Sequence, residues 1–227
     1  MLRPTGFEVP GFSFQPPTDT LPNAVWIGCA VNVPVFLARK SFQLGRVPKR
    51  APLLISADKS YRIWVNGRLL ARGPDDIGMD YHRIQNDRWL VDVRDAAPLL
   101  RRGTNTLAVE VFAESLIGWE GSRGRGGLLV ELRAGATVVR SDRTWLAVPA
   151  THWDKSGGQW TFDPSAEPAG WRDPETMVPN WPPAVELPDR WQPRVLSEIP
   201  QRAEIPFPAK TPTRFPMEVR PGGPRIV

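Results

Sequence analysis

The sequence predicts an all-β fold, a β-sandwich or barrel, with a Pro-rich C-terminal extension. Three observations carry this. Short apolar or alternating runs recur about every dozen residues, the spacing of a sandwich or barrel. Helical patterns are nearly absent, and no strand–helix–strand alternation exists to build a doubly wound sheet. An Asn-Gly pair, Asn66-Gly67, stands between two such runs and reads as a type I′ hairpin turn, whose two central residues need positive φ.

The elements follow in order. Phe36, Ala38, Lys40, Phe42 and Leu44 share one face of a strand. Residues 52–57 form a short buried run, and 61–65 alternate into Asn66-Gly67, with Leu69-Leu70-Ala71 as the return strand. Arg88–Val93 is a further strand candidate. The best helical signal spans Asp92–Leu100, with Asp92 or Asp95 as cap, and Pro98 keeps it short. The longest strand covers 105–113, with Leu107, Val109 and Val111 on one face. Runs at 127–133, 137–140 and 145–148 complete the series. Trp26, Trp64, Trp89 and Trp145 fall inside strand patterns and are expected in the core. Trp153, Trp160, Trp171, Trp181 and Trp191 lie among Pro and Asp, where large rings pin irregular backbone to the sandwich.

Composition narrows the function. The 227 residues carry 29 basic and 24 acidic side chains, for a net charge of +5. Seven basic and three acidic residues lie from Arg190 onward, so +4 of that charge belongs to the tail. A basic tail is not a basic folded face, and nucleic-acid binding is not expected. Eleven prolines occur in residues 1–149 and fifteen in 150–227. The last stretch therefore reads as an extended linker or surface arm. Cys29 is the single cysteine and reads as a small buried hydrophobe, without a disulfide partner in the chain. No apolar run reaches the roughly 20 residues of a membrane span, and no secretory leader is visible, so a cytoplasmic setting is expected. His82 and His152 are too far apart in sequence for a helical metal pair, and Gly-x-Ser-x-Gly is absent.

Two loops hold the candidate ligand groups. Asp80, Tyr81 and His82 follow a Gly/Pro/Asp-rich turn. Trp119, Glu120 and Arg123 sit in a Gly-rich stretch between two strong strands. An aromatic face stacks on a sugar ring, while Glu, Arg or His bonds its hydroxyls. The plainer reading makes these loops a crossing at the end of the sandwich and an ordinary connection. Glycoside hydrolysis needs two converging carboxylates, and the spacing of the 24 acids does not show that any two converge.

Residues 57–67, Ala-Asp-Lys-Ser-Tyr-Arg-Ile-Trp-Val-Asn-Gly, resemble the Ala-Asp-x-x-Tyr-x-Leu-x-Val-Asn-Gly hairpin of galactose-binding-like jelly rolls. Such modules stand at the N-terminal side of bacterial α-L-rhamnosidases and related large glycoside hydrolases. Arg72-Gly73-Pro74, Arg102–Val109, Gly126–Leu132 and Ser141–Trp145 fit in order, as does Arg39-Lys40-x-Phe42-x-Leu44 upstream. The resemblance covers roughly residues 24–175. It implies an N-terminal arm over 1–23, a β-sandwich module over 24–175 and a Pro-rich linker or arm over 176–227. It also implies a non-catalytic accessory module, for structural support or carbohydrate binding, with no catalytic residue of its own. In the family the acids that cleave the bond lie in a downstream (α/α)6 barrel, to which nothing in this chain maps. The expected partners are a carbohydrate and a catalytic glycosidase domain or chain. No cofactor is implied, with structural calcium left open. The alternatives are a small stand-alone glycoside hydrolase and a protein-interaction module. Asn66 and Gly67 are expected to close a hairpin and not to bind a ligand.

Overall fold

The computed structural model describes residues 21, 23–73, 89–113, 126–156, 159–187, 194–196, 219–220 and 223–224. The first ten strands are β1 (Ile27–Gly28), β2 (Val35–Leu44), β3 (Pro52–Ala57), β4 (Ser60–Val65), β5 (Arg68–Gly73), β6 (Trp89–Asp95), β7 (Gly103–Phe112), β8 (Leu128–Ala134), β9 (Thr137–Arg140) and β10 (Leu146–Pro149). Beyond them come β11 (Trp153–Ser156), β12 (Gln159–Phe162), β13 (Val185–Glu186), β14 (Arg194–Leu196), β15 (Val219–Arg220) and β16 (Gly223–Pro224).

One sheet runs β10-β2-β7-β4-β5. The other runs β13-β1-β8-β3-β6-β14, with β9 also paired to β8. Successive strands β1, β2, β3 and β4 alternate between the sheets, as do β5, β6, β7 and β8, the crossing pattern of a jelly roll. All pairings are antiparallel except β14 with β6.

The interior follows from period-two alternation. Phe36, Ala38, Ile63, Val65, Leu107, Val109 and Val111 face inward from one sheet. Leu53, Ile55, Leu128, Val130 and Leu132 meet them from the other. Cys29 and Trp145 are buried in the same core. Outside the second sheet Trp26 packs with Leu54, Val91 and Leu129.

Asn66 has φ 52° and Gly67 φ 78°, the left-handed pair that a type I′ turn needs. A Cβ on Gly67 would come no closer than 3.9 Å to any neighbour, the Arg172 carbonyl oxygen. Strain at Gly67 is therefore conformational and not steric. Replacing Gly67 by Val is expected to destabilise by about 1–3 kcal/mol, because a β-branched residue holds positive φ poorly. Urea denaturation measures it, and an unchanged midpoint would contradict the turn assignment.

Two expectations shift. The helix expected over Asp92–Leu100 is only a 3-10 turn at Ala97–Leu99, because β6 runs on to Asp95. The turn's N-cap is Ala96, which makes no side-chain capping bond; Asp95, one residue earlier and still in β6, accepts from the amides of Ala97 (3.0 Å) and Ala51 (2.8 Å). Trp64 lies outside the sandwich interior, packed edge-on against Trp171 with ring centroids 5.6 Å apart. It alternates with inward-facing Ile63 and Val65, so period two alone sends it out.

The chain after β10 covers the outer face of the five-stranded sheet. Val35, Leu37, Ala108, Ala150 and Trp171 are buried there, with Phe112, Trp153, Trp160 and Trp181 packed against them. This strap then returns to the other sheet, where β13 pairs with β1. Ala184 and Leu187 are buried at that end. The packed chain thus continues past the boundary at 175 expected from the sequence.

Candidate functional site

The register brings the strand ends that flank the two candidate segments, Gly73, Phe112 and Leu128, to one end of the sandwich. Tyr61 lies opposite both Gly73 and Val111, Ser60 opposite Phe112, and Ala57 opposite Leu128. The segments that leave β5 and β7 therefore depart beside the β3–β4 turn. The segment entering β8 arrives there too, and the Asp58 amide donates to the Gly127 carbonyl at 2.9 Å. This end is the candidate rim. Asp80, Tyr81, His82, Trp119, Glu120 and Arg123 lie outside the described residues.

Beneath the rim sits a polar cluster facing the interior. Tyr61 donates its hydroxyl to Asp92 Oδ2 at 2.6 Å, and Arg94 lies 3.7 Å from the same oxygen. All three are buried. Asp92 and Arg94 pair with Ile55 and Leu53, whose side chains share that inward face. A Cβ on Gly73 would fall 2.4 Å from Asp92 Oδ2 and 2.6 Å from Tyr61 Oη. Any side chain at Gly73 would have to displace the Tyr61–Asp92 pair. From sequence, Asp92 reads either as part of a strand over Arg88–Val93 or, with Asp95, as a candidate helix cap; the structure places it in β6. A charged pair, Asp92 and Arg94, at alternate positions of a strand was the available signal for an inward polar face.

A second cluster lies on the outer flank of the same end. Glu110, 1 % exposed, accepts from His152 Nε2 (3.0 Å) and Trp153 Nε1 (2.7 Å) at Oε1. Arg62 Nη1 donates to Oε2 at 3.2 Å, its guanidinium lying 5.4 Å from the Phe112 ring centre and 5.5 Å from that of Trp153. The His152 tautomer with a proton on Nε2 fits this arrangement, and its buried Nδ1 has no described partner. Sequence reasoning missed Glu110 altogether. It occupies the face opposite Leu107, Val109 and Val111, which looks solvent-exposed until the strap covers it.

Arg39 fastens the strap further along. It is buried, and its Nη2 donates to the Asp173 carbonyl oxygen at 2.8 Å. Burial lowers its pKa, partly offset by the charge of Asp173. Arg172 lies over Trp64, 4.3 Å from the ring centre, and pairs with Glu167.

Among the described residues four carboxylates are buried, Asp58, Asp92, Glu110 and Glu131, the last held by Arg133 (2.6 Å) and Arg140 (2.9 Å). Glycoside hydrolysis needs one carboxyl ready to give a proton and a second free to attack or to activate water. Glu110 is closed in by three donors, and Asp92 is held by Tyr61 and Arg94 under the rim. Among the described residues, no group of three or more His, Cys, Asp or Glu side chains is arranged to hold a metal ion.

No protein-family model matches the chain, and no curated protein matches it in sequence. Solved structures do match. A GH78-family rhamnosidase from Bacillus sp. GL1 aligns at 25 % identity with a TM-score of 0.66, over 79 % of this chain and 20 % of its own. The α-L-rhamnosidase of Dictyoglomus thermophilum gives 19 % and 0.65, over 78 % and 22 %. The α-L-rhamnosidase of Aspergillus terreus gives 21 % and 0.59, over 75 % and 22 %. The fold is that of a β-rich module of rhamnosidases. The chain spans about a fifth of the length of the rhamnosidases it matches.

Proposed function

We propose that the chain works as a non-catalytic accessory module of an α-L-rhamnosidase-like glycoside hydrolase. It supports the catalytic part of the enzyme, and its rim meets carbohydrate. The observation that carries this reading is the coverage: most of this chain aligns with only a fifth of each rhamnosidase.

The residues proposed to meet sugar are Asp80, Tyr81, His82, Trp119, Glu120 and Arg123. Both segments that carry them attach at the one rim, so rings and polar groups from two loops are able to face a single ligand. Trp119 is proposed to stack on the sugar face, with Glu120, Arg123 and His82 bonding hydroxyls.

Titration calorimetry with L-rhamnose and D-galactose, with and without calcium, tests the rim. Binding in the millimolar to high-micromolar range is expected, since a monosaccharide offers few atoms and its hydroxyls must be desolvated. The heat should vanish in Trp119→Ala. Heat that persists unchanged in that variant removes the site, and no heat at all leaves a structural support. On p-nitrophenyl α-L-rhamnoside the chain should show no turnover. Steady turnover abolished by one Asp or Glu substitution would favour a small stand-alone hydrolase instead.

A further inference from the structure

The turn that closes β4 and β5 is chemically the most labile dipeptide of the chain. Asn66-Gly67 is its one Asn-Gly pair. Glycine offers no side chain to shield its amide nitrogen, so in an unrestrained chain that nitrogen reaches the asparagine side-chain carbonyl more readily than the nitrogen of any other residue would. The Gly67 nitrogen forms a bond to Asn66 Cγ, and the Cγ–Nδ2 bond breaks. The proton from the Gly67 nitrogen leaves with the amide nitrogen as ammonia. Water then opens the cyclic imide at either carbonyl, leaving aspartate or isoaspartate at position 66. Water is the only co-reactant. Asn66 is half-buried and Gly67 exposed, so water reaches the turn.

The fold opposes the first step. Asn66 Nδ2 donates to the Leu99 carbonyl (2.9 Å) and to Asn105 Oδ1 (2.8 Å), while Asn66 Oδ1 accepts from the Thr106 amide (2.9 Å). Its own backbone amide donates to the Thr106 carbonyl at 3.0 Å. The carboxamide is therefore held at both ends, and Cγ cannot turn toward the Gly67 nitrogen until these bonds open. Asn105 is itself fixed. It is fully buried, donates to the carbonyls of Arg101 (2.7 Å) and Gly103 (2.9 Å), and accepts from the Arg101 amide (2.9 Å).

The product could not restore the corner. A carboxylate has no proton to give to Leu99 O or Asn105 Oδ1, so acceptors would face acceptors at two places. We infer that Asn66-Gly67 is a latent self-modification site, at which the fold holds back imide formation and whose reaction irreversibly unlocks the β4–β5 corner.

The full chain, aged at mildly alkaline pH with and without denaturing urea, tests this. Trypsin releases residues 63–68, in which Asn66 is the only asparagine, so mass spectrometry reads the site alone. Deamidation should be slower in the folded chain by about tenfold or more, because several hydrogen bonds must open before attack. Equal rates in the two conditions would overturn the protection. For the consequence, Asn66→Asp should melt below the parent, while Asn66→Gly keeps the positive φ and yields no product at this site. If Asn66→Asp does not fold, aged folded chain separated by its extra charge serves instead. A melting temperature equal to that of the unaged chain would overturn the unlocking.

Discussion

Replacing Glu110 by Ala is expected to destabilise the chain by about 2–5 kcal/mol, since one buried and one half-buried donor lose their shared acceptor and an unmet group costs about 1–3 kcal/mol when buried, less when half-exposed. Those donors are His152 Nε2 and Trp153 Nε1. The Arg62 charge adds little, because its side chain is 35 % exposed and turns to water. Glu110→Gln separates the contributions. Its amide oxygen still serves His152 and Trp153, but its NH2 then faces the Arg62 guanidinium. The cost should fall to about 1–2 kcal/mol, the scale of one displaced hydrogen bond. Adding Arg62→Met to Glu110→Gln should recover part of that loss, as a coupled pair in a double-mutant cycle does. Urea denaturation followed by tryptophan fluorescence reads all three variants. A Glu110→Ala midpoint equal to the parent would mean that the strap does not depend on this cluster.

What could be read from the sequence was local. Asn66-Gly67 specifies its own dihedral angles, and the hairpin is where that pair places it. The alternation of Leu107, Val109 and Val111 and of Phe36 and Ala38 needs only period two to define an inward face, and these residues do form the core. The ordered set of fragments around the hairpin identified the sandwich. In each case the information lies within a few neighbouring residues.

What could not be read was long-range. Glu110 is buried because His152 and Trp153 close over it, some forty positions away in the chain. Arg39 is buried through a carbonyl 134 positions away. The strap has little long-range periodicity, since Pro and Trp punctuate it and most of its backbone bonds close the short β11–β12 hairpin and local turns. Trp181, Ala184 and Leu187 therefore looked like the beginning of a linker. The candidate rim was legible only in part. Sequence placed each loop between strands, but register was needed to bring Gly73, Phe112 and Leu128 to the same end.

A chain ending at Glu175 should lose most of its stability, whereas one ending at Leu187 should keep the sandwich. The first cut removes Trp181, which packs on Trp171 with ring centroids 6.0 Å apart. It also removes Ala184 and Leu187, both buried, and strand β13 with its pairing to β1. Three backbone bonds into the sandwich go with it: Ala147 to the Pro182 carbonyl (3.0 Å), Ala184 to the Trp145 carbonyl (2.7 Å) and Leu187 to the Trp26 carbonyl (2.7 Å). Burying Leu187 contributes about 1.5–3 kcal/mol, the half-buried Trp181 a similar amount and the single methyl of Ala184 about 0.8 kcal/mol, so the combined loss is about 4–7 kcal/mol. That is comparable with the whole stability of a typical domain, about 5–15 kcal/mol. The consequences reach further than the contacts. Without Leu187 the outer cluster around Trp26 opens, and without Trp181 one side of Trp171 faces water. The chain ending at Leu187 loses only the parallel pairing of β14 with β6 among the described contacts to the sandwich. Urea titration of the two truncated chains beside the full one decides the matter. Equal midpoints for the chains ending at 175 and 187 would show that the return of the strap to β1 adds nothing, and would restore the boundary at 175.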